Sequence, residues 1–85
     1  MQTLDPKIFG LPARTQLEQI DETTVALVMR RKSRIIMADG QKIVAKADKI
    51  RQYNPALTLM LKTSAPICSK TVQMLEQQGI VIESL

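Results

Sequence analysis

The sequence predicts a small α/β protein with the order β-α-β-α-β, in which three largely parallel strands alternate with two helices. Three observations lead to this fold class. TVALVMRR (24–31) is β-branched at its start and apolar through Met29, and LTLMLKT (57–63) alternates apolar and other residues as a strand does. The segments between these strands and the final IVIES (80–84) carry apolar residues at helical spacing. Right-handed crossovers would then make the three strands parallel.

Length and composition fit one domain. The 85 residues are 45% hydrophobic and 24% charged, which is ordinary for a globular protein. Only Phe9 and Tyr53 are aromatic, so we expect an aliphatic core. Residues 1–14 contain two prolines and a glycine, which predicts an irregular N-terminal arm. A single small α/β domain is expected over 15–85.

The first part of that domain leaves one alternative open. TQLEQI (15–20) suits either a short strand or a helical turn. If it is a strand, the DETT turn pairs it antiparallel with 24–31 and adds a fourth strand to the sheet. The continuous apolar run in 24–31 is typical of a strand covered on both faces, with helices above and below the sheet.

Residues 33–54 contain the main ambiguity. Asp39-Gly40 would suit a hairpin turn, but Ile43, Val44, Ala47 and Ile50 recur at helical spacing. We therefore expect a helix from about 40 to 52, with Asp39 as its cap and Asn54-Pro55 at its end. The conformation of 33–38 stays open.

The second helix is expected to start directly after the strand 57–63. Thr63 or Ser64 offers an N-cap, and Pro66 fits the first turn because its missing N–H has no partner there. This helix should run to Gln78, with Gly79 as the residue that terminates it.

Several classes of function are disfavoured by composition. Histidine is absent, which removes the commonest general base and every Ser-His-Asp or Cys-His nucleophile. One cysteine allows no internal disulfide, and a zinc site lacks ligands. We predict no metal and no cofactor, and favour a binding role over catalysis.

The longest apolar run, VALVM (25–29), is too short for a membrane span, so a cytoplasmic protein is expected.

The positive charge is concentrated between residues 30 and 51, where eight Lys and Arg face two Asp. Ligands of open α/β sheets gather beyond the carboxyl ends of the strands, and two segments, RRKSR (30–34) and TSAPICSK (63–70), follow strands there. Our leading hypothesis is a non-catalytic binding or accessory protein that recognises an anionic small molecule or an acidic protein partner at this edge. The candidate residues are Arg30, Arg31, Lys32, Arg34, Thr63, Ser64, Ser69 and Lys70.

The first alternative is a nucleic-acid-binding module. Lys42, Lys46 and Lys49 would form a stripe along one flank of the first helix, and Arg30 and Arg31 could extend it to grip phosphates. Aromatic residues for base stacking are missing from this region, which disfavours a single-strand platform.

The second alternative is a thiol-based redox protein that uses Cys68. A helix start and the nearby Lys70 would lower the pKa of this thiol, whereas a helical wheel places Cys68 on the apolar side, and we expect it to be buried and inert. TSAPICSKTVQMLEQQGI (63–80) resembles the Cys-Pro-x-Cys strand–helix segment of glutaredoxin-type, thioredoxin-fold proteins. The resemblance aligns Cys68 with the second cysteine of that motif, Pro66 with its proline and Ala65 with its first cysteine. The first cysteine is the nucleophile of that family, and it is absent here.

Overall fold

The computed structural model describes residues 2–85, so Met1, the first residue of the predicted arm, lies outside the described residues. Strands and helices alternate after residue 24 as the sequence predicts. The elements are β1 (Gln2–Leu4), a 3₁₀ turn (Pro6–Phe9), β2 (Leu17–Asp21), β3 (Thr24–Met29), α1 (Met37–Tyr53), β4 (Thr58–Thr63), α2 (Ser69–Gln77) and β5 (Ile80–Ser84).

The five strands form one mixed sheet in the order β1-β2-β3-β4-β5. β3, β4 and β5 are parallel, with Leu27 opposite Leu61 and Leu61 opposite Ile82. β2 runs antiparallel to β3 after a turn in which the Asp21 carboxylate accepts from the Thr23 N–H at 2.8 Å. The predicted α/β class is confirmed, and the open choice for residues 15–20 resolves as the antiparallel strand β2.

The N-terminal arm differs from the irregular course expected of it. Residues 2–4 form β1, which pairs antiparallel with β2 so that Leu4 lies opposite Leu17. The following turn begins at Asp5, whose carboxylate accepts from the Lys7 N–H at 2.9 Å, and ends at Gly10 with φ +74°. β1 forms because the backbone N–H and C=O groups on the outer edge of β2 are otherwise unpaired. A local sequence pattern does not show that such a partner lies nearby.

The helix α1 confirms the predicted helix and extends it by three residues at its start. Its buried positions are Gly40, Ile43, Ala47 and Ile50, and its cap residue at the C-terminal end is Asn54. α2 buries Thr71 and Leu75 and is followed by Gly79 with φ +76°, the left-handed conformation predicted for that glycine.

Both helices pack on one face of the sheet, in contrast to the two covered faces expected for β3. One buried cluster joins the same-face residues of the parallel strands to the apolar stripes of the two helices: Val25, Leu27, Leu59, Leu61, Ile80, Ile43, Ala47, Ile50 and Leu75. On the opposite face, Ala26 and Val28 are also buried. Ala26 lies between Glu18 and Met60 of the neighbouring strands, and these longer side chains shield it without a second layer of helices.

Within residues 2–85, neither helix has the length and apolar character needed to cross a membrane.

Candidate functional site

The loops that follow β3 and β4 meet beyond the ends of these strands. An isolated parallel bridge joins Ile35 to Ile67. The Ile35 N–H donates to the Pro66 carbonyl at 2.9 Å, and the Cys68 N–H donates to the Ile35 carbonyl at 3.0 Å. Residues 30–34 and 63–70 therefore lie at the same edge of the sheet, directly before the starts of α1 and α2.

Arg31 is committed to the structure of its own loop. Its guanidinium donates to the Ser33 carbonyl at 3.1 Å, to the Arg34 carbonyl at 2.9 Å and to Asp39 at 2.9 Å. Asp39 also accepts from the Ile36 N–H at 3.1 Å, and this bond, followed by Arg31, lowers the pKa of the carboxyl group. Arg31 thus holds the turn 31–36, with its charge balanced by Asp39, and offers little to an external ligand.

Two hydroxyl groups predicted to bind a ligand instead join the loops. Thr63 is buried; its hydroxyl donates to the Met29 carbonyl at 2.8 Å and accepts from the Ala65 N–H at 3.0 Å. The Ser64 hydroxyl donates to the Arg31 carbonyl at 3.4 Å. Arg30 turns toward β2 and donates to the Gln16 side-chain oxygen at 3.1 Å. These three groups are therefore occupied within the protein.

The remaining candidates form a smaller surface, which we call the edge site: Lys32, Arg34, Ser69 and Lys70. All four are exposed. Within residues 2–85, none of them forms a side-chain hydrogen bond or an ion pair, in contrast to Arg30 and Arg31. Among the residues predicted to bind an anion, those of the edge site therefore carry the positive charges that remain available to a ligand.

The predicted start of α2 at Thr63 or Ser64, with Pro66 in its first turn, is wrong. The helix begins at Ser69 with Cys68 as its N-cap. Residues 66–68 are kept out of the helix because Pro66 and Cys68 hydrogen-bond with Ile35. The Thr63 hydroxyl closes a local turn onto Ala65 that does not open a helix. Asp39 is likewise not the N-cap of α1: Ile36 takes that position, and Asp39 reaches back to it from the first turn.

Neither N-cap residue supplies a side-chain cap, although the start of α1 already holds the Asp39 carboxylate, which accepts from the Ile36 N–H at 3.1 Å. The N-cap of α1 is Ile36, which has no acceptor atom and is 51% exposed, and the N-cap of α2 is Cys68, whose sulfur makes no cap hydrogen bond of standard geometry. The first N–H groups of a helix have no acceptor within the helix. Two such helix starts therefore lie side by side, joined by the Ile35–Ile67 bridge.

Cys68 is half-buried, so the prediction that it sits inside the core is wrong. The helical wheel gave the wrong position for this side chain because Cys68 precedes the first residue of the helix. The backbone N–H groups of Thr71 and Lys70 lower the pKa of its thiol, with smaller contributions from the Thr71 hydroxyl and the charge of Arg34. The Thr71 hydroxyl itself is buried without a hydrogen bond of standard geometry. The helix start thus favours a thiolate at Cys68.

The basic stripe predicted on α1 is present, and it has an additional member. Lys42, Lys46 and Lys49 line a groove together with Arg14 from the arm. Arg14 carries no signal of this role in the sequence, because nothing near it in the chain indicates that the arm would cross α1. Among the described residues 2–85, no group of His, Cys, Asp and Glu side chains is arranged to hold a metal ion.

Comparison of this chain with protein-family models, with curated proteins and with solved structures found no match.

Proposed function

We propose that this chain is a small, non-catalytic binding protein that recognises a phosphate-type anion at the edge site, Lys32, Arg34, Ser69 and Lys70. The observation that carries the proposal is the start of α2 at Cys68, which has no side-chain cap hydrogen bond and lies beside the exposed cations Arg34 and Lys70 at the carboxyl edge of the parallel strands.

The electrostatics of this helix start favour an anion. The N-terminus of a helix carries a partial positive charge and presents N–H donors, and an anion is stabilised there. This effect is available at α2, whereas at α1 the Asp39 carboxylate in the first turn already offsets it. Arg34 and Lys70 flank the start of α2, and neither forms an ion pair within residues 2–85.

A phosphate group suits this arrangement better than a single carboxylate does. It offers several oxygens and about 1.5 to 2 negative charges near neutral pH, so it can accept from the start of α2 and from two cations together. The hydroxyl of Ser69, in the first turn of α2, adds one more donor. The phosphate would belong to a small molecule or to a phosphorylated protein partner.

The test is an amide-shift titration with inorganic phosphate and pyrophosphate. We expect saturable shifts of the amides at 36–38 and 68–71, and affinity several-fold weaker in Arg34→Gln/Lys70→Gln. The matched control, Arg14→Gln/Lys46→Gln, removes the same charge from another surface and should bind phosphate as the wild type does.

Absence of shifts in both segments at millimolar ligand, or equal weakening by both double variants, would overturn the proposal. A glutamate-rich peptide that binds more tightly than pyrophosphate, with the same dependence on Arg34 and Lys70, would identify the acidic partner instead.

A further inference from the structure

A second, independent feature lies between the N-terminal arm, the end of β3 and α1. It is a cavity of about 220 Å³, lined by Arg14, Thr15, Leu27, Met29, Ile43 and Lys46 among others. A shallower groove continues from it along α1, shares Arg14 and Lys46 with it, and adds Lys42 and Lys49. No residue of the edge site lines either space.

The cavity has an apolar inner wall. Leu27 and Ile43 are buried members of the core cluster, and Met29 packs against that cluster. An apolar wall that remains open in a protein of this size favours an apolar group of matching shape. Because a cavity of about 150 Å³ accepts benzene, the space suits an apolar body of roughly six to ten carbon atoms.

The mouth of the cavity is cationic and its cations form no ion pair within residues 2–85, although Lys42 in the groove is attracted to Asp39. Neither the cavity nor the adjoining groove is lined by an acidic residue. Within residues 2–85 the ion pairs are Arg31–Asp39 and Arg51–Asp48, and neither involves a cation of this mouth. Arg14, Lys42 and Lys46 therefore line the mouth and groove with their charges uncompensated by an ion pair.

One polar group in the wall has no partner within the protein. The Thr15 hydroxyl oxygen is shielded from solvent and forms no hydrogen bond in residues 2–85. Buried polar atoms are nearly always hydrogen-bonded in folded proteins. Because this oxygen is shielded from water, it does not face the open space, and the charge at the mouth comes from Arg14 and Lys46 alone.

We propose that this cavity binds an organic monocarboxylate with an apolar body. The carboxylate lies at the mouth, where Arg14 and Lys46 supply charge. The apolar body lies against Leu27, Met29 and Ile43. A nucleic acid is the less favoured occupant, because no aromatic side chain lines either space and an apolar wall offers nothing to a phosphate backbone.

The test uses octanoate, with octanol as the uncharged probe of the same length. Methyl resonances of Leu27, Met29 and Ile43 should shift saturably with octanoate, and octanol should bind about tenfold more weakly or worse, because it lacks the charge-assisted contacts. Arg14→Gln/Lys46→Gln should weaken octanoate binding by a similar factor. Arg34→Gln/Lys70→Gln, which alters only the edge site, should leave octanoate binding unchanged.

Three outcomes would overturn the inference: no methyl shift at millimolar octanoate, equal binding of octanol, or wild-type affinity in a folded Arg14→Gln/Lys46→Gln variant. An amide spectrum of each variant establishes that it is folded. Duplex RNA that binds with a steep salt dependence and leaves the methyl resonances unmoved, in a protein that does not bind octanoate, would assign the stripe to nucleic acid. Because the edge site is probed by phosphate and by other residues, either proposal can fail while the other stands.

Discussion

At the scale of single residues, the charges of this chain divide into those used in folding and those left exposed. Arg31 and Asp39 belong to the first group, since together they hold the turn before α1 through five hydrogen bonds to the loop and to each other. Arg34 and Lys70 belong to the second. Neighbouring residues of the same type can therefore have opposite roles, and only the second group is available to a ligand.

Asp39 should make the stability of the protein depend on acid pH. Its pKa is lowered in the folded state, so its contribution is present above the pKa of the unfolded chain and is lost as pH falls through the folded value. Urea unfolding at neutral and acid pH should show a larger fall in midpoint for the wild type than for Asp39→Asn. Asp48→Asn, on the same helix in an exposed pair with Arg51, is the control and should behave as the wild type does. An equal pH dependence in wild type and Asp39→Asn would contradict this prediction.

Cys68 should react as a thiol of lowered pKa. The N–H groups of Thr71 and Lys70 favour its thiolate, so the midpoint of its alkylation rate against pH should lie below that of N-acetylcysteine measured alongside. Arg34→Gln should raise the midpoint slightly, whereas Lys32→Gln should leave it in place. A midpoint at or above that of the free thiol would remove the basis for a reactive Cys68.

At the scale of elements, α1 and α2 are in close contact at Gly40. A Cβ built at this position would lie 2.7 Å from the Met74 Cε and 2.7 Å from the Thr71 Cγ2. Glycine is therefore required here by the close packing of two helices, although it is a poor residue for a helix interior. The same contact keeps the two helix starts adjacent and so supports the geometry of the edge site.

Gly40→Ala should destabilise the protein, even though alanine favours a helix by about 1 kcal/mol relative to glycine. Overpacking of this kind costs about 1–3 kcal/mol, and we expect a net loss in the free energy of unfolding measured with urea. In a Thr71→Ser/Met74→Ala background, where the two clashing groups are gone, the same substitution should cost less or become stabilising. A Gly40→Ala protein as stable as the wild type in both backgrounds would show that the helices are not packed this closely.

At the scale of the whole molecule, one aliphatic core between the sheet and the two helices holds the fold. Leu61 lies at its centre on β4, between β3 and β5, and is fully buried. Small domains are only marginally stable, by about 5–15 kcal/mol, so a single cavity in this core is a large fraction of the total.

Leu61→Ala should cost about 2–5 kcal/mol, as buried leucine truncations do. Ile36→Ala, at an exposed position, should stay within about 0.5 kcal/mol of the wild type. Urea unfolding followed by circular dichroism measures both. Comparable small effects of the two substitutions would mean that β4 is not the central strand of the core.

The sequence by itself determined the strands β3, β4 and β5, the buried stripe of α1 and the glycine that ends α2, because apolar periodicity and the left-handed preference of glycine are local signals. It also placed the positive charge between residues 30 and 51. The tertiary structure decided where α2 begins, since residues 66–68 are held by hydrogen bonds to Ile35, about thirty residues earlier in the chain. It also decided which of the predicted site residues are occupied internally, and it brought Arg14 next to Lys46. Those outcomes depend on contacts between distant segments, which no local pattern encodes.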